Sequence, residues 1–388
     1  MKIVLLSNYL NHHMLPLCLA FSALNAVEFR FVATKEITPY RKSLGYPDYN
    51  SNYDFVVRAY EDENNKAYAK KLCDECDVLI YGSAPLEVAK ERLRSDKLTF
   101  RYSERIYKKA CPWYQIPLRA IKYNSLYGKK TNLYLLCASA YTAADYAKTR
   151  TFLNRAYKWG YFPEIKEHKE PAALILEKQK NTILWVGRFL DWKHPECAIA
   201  VAKRLRDDGY EFRLDMIGTG PMEEFLHAEI AKEGLGEYVR MLGAMKPEEV
   251  RKHMEESEIF LFTSDRGEGW GAVLNESMNS GCAVVASHAI GSAPFLIRDK
   301  ENGLIYRDGD VEDLYQKAEW LLENPEKRSR MGAEAYRTVI DEWNPENAAW
   351  KLITLAKALL KGAENPFPYD EGICSKAEIL KDGWYRKA

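Results

Sequence analysis

Ile259-Phe260-Leu261-Phe262-Thr263 is followed by Ser264-Asp265-Arg266-Gly267-Glu268-Gly269-Trp270-Gly271 and then by Ala272-Val273-Leu274-Asn275-Glu276. An apolar run ending in small polar residues reads as a strand buried on both faces of a parallel sheet. A three-glycine loop that opens a helix puts backbone N–H groups at the C-terminal end of that strand. Doubly wound α/β sheets bind ligands there, and a helix start suits an anion such as phosphate. Glu268 and Glu276 would repel that anion if they touched it. They are better suited to accept hydrogen bonds from hydroxyls on either side of it, one from a ribose and one from a sugar. The alternative is a Gly-rich strand–helix turn with surface glutamates.

Outward from this stretch, apolar runs and helical periods alternate. Strands are expected at 182–187, 212–217, 239–242 and 282–287, with helices over 195–208, 222–233, 247–256 and 273–280. Upstream, strands are expected at 2–7, 28–33, 78–81, 99–100 and 133–137, with helices over 86–94 and 142–152. This predicts an α/β fold with doubly wound domains. At 388 residues the chain exceeds what one core usually serves. The charged, Pro-containing stretch 163–180 reads as a linker, with a cleft between the domains it joins. The expected division is an N-terminal domain (1–170), a second domain (171–346), and a helix and tail (347–388) that pack back on the first. Ala349, Leu352, Ile353, Leu355 and Leu359 give that last helix its apolar face.

A second signal is Gly187-Arg188-Phe189-Leu190-Asp191-Trp192-Lys193-His194-Pro195. Arg188 and Lys193 follow a strand and precede a helix with Pro in its first turn. Two cations converging there would neutralise a diphosphate and stabilise it as a leaving group. Taken alone, a loop Arg and Lys can equally be solvated.

Arg-x4-Lys, about 75 residues, Glu-x7-Glu, and then Gly281 before a buried strand form a combined pattern. Ile217-Gly218-Thr219-Gly220-Pro221, Leu242-Gly243, Asn275-Glu276-Ser277-Met278-Asn279-Ser280-Gly281, Gly291-Ser292-Ala293-Pro294 and Glu301-Asn302-Gly303-Leu304 accompany it. From about 182 to 345 the chain resembles the donor-binding domain of family 4 glycosyltransferases, retaining enzymes of the GT-B fold. In that fold two Rossmann-like domains face each other across a cleft. The whole chain resembles the bacterial surface-polysaccharide and lipid-linked glycan branch. The resemblance implies that Arg188 and Lys193 hold the diphosphate of a UDP- or GDP-linked sugar. It implies that Glu276 takes the ribose hydroxyls, and that Gly243 to Met245 border the base. Glu268, with N–H groups from Gly269, Trp270, Gly271 and Ala272, would hold the transferred sugar. Arg188, Lys193 and Glu268 would be the catalytic set. No cofactor or metal is implied, and no Asp-x-Asp is placed to hold a metal on the diphosphate.

The N-terminal half departs from that pattern. Ser7-Asn8-Tyr9-Leu10-Asn11-His12-His13-Met14 stands where many relatives have a Gly-rich loop. His12 or His13 can touch donor or acceptor there, or both are ordinary histidines. Arg101-Tyr102-Ser103-Glu104-Arg105 stands where relatives often carry a His facing the reacting sugar. Glu104 or Ser103 is the candidate at that place.

Lys+Arg and Asp+Glu are both 56, which excludes a chain-wide polyelectrolyte role and gives no reason to expect a nucleic-acid partner. Yet residues 101–160 carry twelve Lys/Arg against Glu104 and Asp145, a local +10, with aromatics interleaved. Either this is a solvated face or it meets anionic lipid headgroups or an anionic acceptor. On the second reading Trp113, Tyr114, Tyr123 and Tyr127 sit at headgroup depth beside Lys109, Arg119, Lys122, Lys129 and Lys130. No apolar run reaches a membrane span, and residues 1–6 read as a strand rather than a signal peptide. Eight scattered Cys suggest reduced thiols in a cytosol, and the lone Cys73-x-x-Cys76 is a weak zinc candidate. The expectation is a cytoplasmic enzyme, peripheral on the inner face of the membrane. It would pass a hexose-type sugar, with retention, to a glycan or lipid-linked acceptor. A sugar-nucleotide epimerase of the same architecture and a two-lobed sugar-binding protein are the alternatives.

Overall fold

The computed structural model describes residues 1–39, 47–109, 111–128, 130–364 and 366–385, which leaves Lys129 outside. The chain forms two compact units. One comprises Met1–Glu164 and Trp343–Lys381, the other Ile165–Glu342 and Asp382–Ala388.

The first unit holds a seven-stranded parallel sheet. Its strands are β1 (Lys2–Ser7), β2 (Glu28–Ala33), β3 (Val56–Arg58), β4 (Val78–Tyr81), β5 (Thr99–Ser103), β6 (Leu133–Cys137) and β7 (Ala156–Lys158), in the order β3-β2-β1-β4-β5-β6-β7. Register is set by pairs such as Leu5 with Phe31 and with Ile80. Both faces of the central strands are buried, which is why β4 and β6 are uninterrupted apolar runs. The helix Pro345–Leu360 packs against the helix Leu15–Ser22. Beyond it Tyr157 Oη donates to Pro366 O at 2.9 Å, and Lys158 N–H donates to Ser375 O at 2.8 Å.

The second unit holds a six-stranded parallel sheet. It is built from β8 (Gln179–Val186), β9 (Arg213–Ile217), β10 (Val239–Gly243), β11 (Ser257–Phe262), β12 (Ala283–Ser287) and β13 (Leu304–Tyr306), in the order β10-β9-β8-β11-β12-β13. Each sheet reverses its build direction at its first strand, the doubly wound pattern. Both are Rossmann-like, as the alternation predicts.

Two expectations need correction. The helix expected over 142–152 ends at Ala147, because the Thr149 and Thr151 hydroxyls both donate to Tyr146 O (2.8 and 3.2 Å) and take the chain out of the helix. Arg150 and Phe152 then adopt positive φ. The boundary between the two units, Glu164/Ile165, falls inside the stretch 163–180, but the rest of that stretch is ordered into the second unit. It contains the helix Pro171–Leu176, and Lys178 places its ammonium within 2.8–3.1 Å of the carbonyls of Met254, Glu255, Ser257 and Ser280. Desolvation lowers the Lys178 pKa, and carbonyl dipoles stand in for water. Cys73 and Cys76 are buried, with Cys76 Sγ donating to Cys73 O at 3.3 Å, and burial pushes the Cys76 thiol up to about 11. Such thiols are inert packing groups. No helix among the described residues is long and apolar enough to cross a membrane.

Candidate functional site

At the C-terminal end of β8 the loop Gly187-Arg188-Phe189 is fixed by the segment after β9. Gly187 N–H donates to Ile217 O (3.0 Å), Phe189 N–H to Thr219 O (2.9 Å) and Met222 N–H to Phe189 O (3.1 Å). A Cβ on Gly218 would lie 1.8 Å from Gly187 O, and one on Gly220 2.5 Å from Phe189 O. The Gly-Thr-Gly turn is therefore glycine so that two backbones can touch. This contact holds Arg188 outward, where its side chain is exposed.

Lys193 is held differently. Trp185 Nε1 donates to Thr263 Oγ1 at 2.8 Å, and that hydroxyl donates to Lys193 O at 2.7 Å. The Lys193 ammonium lies 4.7 Å from the Trp192 ring centroid and 2.6 Å from Glu268 Oε2. Only about 14–15% of either side chain is exposed. Ser264 Oγ donates to the same Glu268 oxygen at 3.2 Å. Lys193 and Glu268, expected to take different parts of a ligand, are thus each other's partners.

The loop between β11 and the helix Val273–Asn279 depends on two glycines. A Cβ on Gly267 would meet Asp265 Oδ1 at 2.9 Å, while Gly267 N–H donates to that oxygen at 2.6 Å. Gly271 has φ +88°, and its Cβ would lie 2.6 Å from the Phe262 ring. The N–H groups of Gly269, Gly271 and Ala272 make no hydrogen bond among the described residues. Trp270 is different from the expectation of a ligand contact in one respect. Its side chain is buried, with Nε1 donating to Asn275 Oδ1 at 2.9 Å, so the ring anchors the loop. Glu276, one turn on, is half-buried. Desolvation raises its pKa, opposed by Arg251, which donates to the Glu276 backbone carbonyl at 2.7 Å. Gly243 ends β10 with φ +72° and accepts from Gly218 N–H at 2.8 Å, with partly exposed Met245 two residues on.

In the first unit the two candidates Glu104 and His13 meet through a residue not foreseen. Tyr161 Oη donates to Glu104, whose other oxygen lies 2.6 Å from Lys108 Nζ, and the Tyr161 ring stacks on His13 at 6.1 Å. His12 packs against His13 at 3.7 Å. Ser103 is buried beneath them and donates to Glu104 O, which removes it as a sugar-facing group.

The basic window divides. Arg105 is buried against Asp145 (3.5 Å), Arg101 donates to Tyr81 O at 2.9 Å, and Arg155 donates to Lys130 O. Tyr127 is buried and stacks with Tyr123 at 6.1 Å, so neither reaches outward as expected. Trp113 and Tyr114 do, at 80% and 61% exposed, and Leu118 and Ile121 join them at 72% and 69%. Lys108, Lys109 and Lys122, near them in the chain, are exposed as well.

Asp-x-Asp spacing occurs at Asp308-Gly309-Asp310, where the Asp310 carboxylate caps the helix Val311–Glu323 by accepting from Asp313 N–H at 3.0 Å. Among the described residues one group has metal-ligand proximity, His194, Glu196 and Cys197. The His194 Nδ1–Glu196 contact of 2.7 Å raises the imidazole pKa, and burial pushes the Cys197 thiol up to about 12, away from the thiolate a soft metal needs.

The fold, two Rossmann-like parallel sheets with helices, is that of GT-B glycosyltransferase structures. Residues 166–338 match the family model described as "Glycosyl transferases group 1". The sulfoquinovosyl transferase SQD2 of Arabidopsis thaliana is 30% identical over 161 residues, 41% of this chain and 30% of that protein. The amylovoran biosynthesis glycosyltransferase AmsK of Erwinia amylovora is 32% identical over 141 residues, 35% of this chain and 34% of that protein. The chain thus spans about a third of the length of these curated relatives. The Anabaena protein HepE, solved in complex with UDP and glucose, superposes with a TM-score of 0.62 at 13% identity, over 93% of this chain and 100% of that one. Residues 166–338, within the second unit, thus match a group 1 glycosyltransferase domain, and the fold is of the GT-B type.

Proposed function

We propose that the protein is a retaining glycosyltransferase that moves a hexose-type sugar from a UDP- or GDP-linked donor to a glycan or lipid-linked acceptor in surface-polysaccharide synthesis. The observation that carries the reading is the Lys193–Glu268 pair, held at 2.6 Å between two glycine-dependent loops. A cation for phosphate and a carboxylate for a sugar hydroxyl stand side by side there, with Ser264 fixing the carboxylate. AmsK, named for amylovoran biosynthesis, supports the polysaccharide context, and HepE, bound to UDP and glucose, supports the donor class.

In this reading Arg188 and Lys193 stabilise the departing diphosphate. Glu276 accepts from the ribose hydroxyls, and Gly243 and Met245 border the base. The acceptor oxygen attacks the anomeric carbon on the face the phosphate leaves, and the leaving phosphate oxygen takes the acceptor proton. No protein nucleophile or resident metal is then required. Glu104 and His13, linked by Tyr161, form the acceptor side, and the exposed Trp113–Ile121 patch meets the inner face of an anionic membrane.

The test is incubation with a panel of labelled UDP- and GDP-sugars and oligosaccharide or lipid-linked acceptors. Transfer with the donor's anomeric configuration in the product, read by NMR, is expected. Inverted product overturns retention. Isomerised donor sugar without transfer would make the protein an epimerase.

A further inference from the structure

The residues Asp382–Tyr385 lie against the second unit at a place none of the site chemistry explains. Tyr385 Oη donates to Ile305 O on β13 at 2.6 Å. The Tyr385 ring stacks on His288 at 5.6 Å, and Trp384 meets the same imidazole edge-on at 6.2 Å. His288 is itself fixed from both sides. Its Nδ1 accepts from Asp308 N–H at 2.9 Å, which leaves Nε2 as the protonated nitrogen, and Nε2 donates to Asp382 O at 3.1 Å. The Asp382 carboxylate lies 3.5 Å from the Arg266 guanidinium. Arg266 stands in the Ser264–Ala272 loop, two residues before Glu268.

We infer that Asp382–Tyr385 is a brace for the donor loop, with Asp382 and Arg266 as positioning residues for Glu268. The inference rests on the donor-site reading above for its functional consequence, but its structural part stands alone. Tyr385 and His288 fix the segment to β12 and β13, and Asp382 carries that fixed point to the loop through Arg266. A loop with glycines at 267, 269 and 271 has many conformations to lose on binding. Holding Arg266 in advance removes part of that cost, so the brace acts on donor KM and leaves kcat nearly unchanged.

Two readouts test it on the full chain. Amide hydrogen exchange without ligand is the first. Asp382→Asn and Tyr385→Phe are each expected to speed exchange in 264–272 by about three- to tenfold, as loss of a partly exposed ion pair or one hydrogen bond allows. Exchange in β11 should not change. Unchanged exchange in 264–272 overturns the brace, whatever the protein's activity, and uniform acceleration including β11 shows a merely structural role and overturns it too. The second readout is donor KM. Asp382→Asn is expected to raise it about three- to fivefold at constant kcat. Arg266→Ala should have no further effect in the Asp382→Asn background, and additive effects of the two overturn the coupling. An unsubstituted chain that turns over no nucleotide sugar overturns the donor-site reading instead, and the exchange result still decides the brace.

Discussion

In the proposed donor site, removing Arg188 takes an exposed cation from the diphosphate, a loss of roughly 1.5–3 kcal/mol of charge-assisted binding. Arg188→Ala should therefore weaken UDP or GDP binding by about 10- to 150-fold while leaving the thermal midpoint in place. Lys193→Ala should do both, since it also leaves the Glu268 carboxylate, only 15% exposed, without its cation. Calorimetric titration and thermal unfolding of the two variants separate these effects, and equal midpoints would count against the pair. Glu276 gives a pH prediction. Its pKa is raised, so the folded chain holds that proton more tightly than the unfolded one, and stability falls as pH rises through the folded value. Glu276→Gln should raise the midpoint at neutral pH slightly, yet weaken nucleotide binding. Binding to the unsubstituted chain should also fall as pH drops toward that raised value, a limb that Glu276→Gln removes. Arg188, Lys193, Glu268 and Glu276 are visible in the sequence because their spacing is bound to strand ends. That Lys193 and Glu268 pair is not, since the hydroxyls steering them, Thr263 and Ser264, look like ordinary strand-end residues. Tyr161 escaped because nothing near it in the chain hints at Glu104, 57 residues away.

Among elements, the longer strands were readable, the edge strand β10 included, and three short edge strands were not. β3, β7 and β13 have three residues each and end their sheets, too short to show any period. Lys178 was missed for the opposite reason, because its acceptors lie 76 to 102 residues away and a charged residue in a charged stretch reads as solvated. The glycine loops invite comparison of two substitutions. Gly309→Ala adds a Cβ at φ +75° in open space and should cost about 1–2 kcal/mol of backbone strain. Gly271→Ala adds the same strain and a 2.6 Å contact with Phe262, so its loss of thermal stability should be clearly larger, with donor binding reduced. Equal losses would mean that Phe262 yields freely. The Trp113–Ile121 patch makes the prediction for the membrane. Its apolar side chains and the lysines near them in the chain should give salt-sensitive co-sedimentation with anionic vesicles, at ~1 kcal/mol per well-placed Lys or Arg. Leu118→Ser with Ile121→Ser should abolish pelleting, whereas no pelleting of the unsubstituted chain at low salt would assign the patch to another role.

For the molecule as a whole, the proposed reaction has Arg188 and Lys193 supply the charge at the diphosphate. Sugar transfer should therefore persist in excess EDTA, and full loss restored by Mg²⁺ or Mn²⁺ would show that the two cations do not suffice. The doubly wound class of both sheets was legible from alternation, and the return of the C-terminal helix and tail to the first unit was expected too, but the strand orders were not legible. The first unit is assembled from Met1–Glu164 and Trp343–Lys381, with Ile165–Glu342 between them. Such a layout has a meaning for synthesis on the ribosome, where the chain emerges from its N-terminus. All but the last few residues of the second unit are available as soon as Glu342 clears the exit tunnel. The first 164 residues must wait, with the face of Leu15–Ser22 that receives Pro345–Leu360 uncovered, through the making of nearly 180 residues that belong elsewhere. The half made first is finished last, and in that interval it is the natural client of a chaperone.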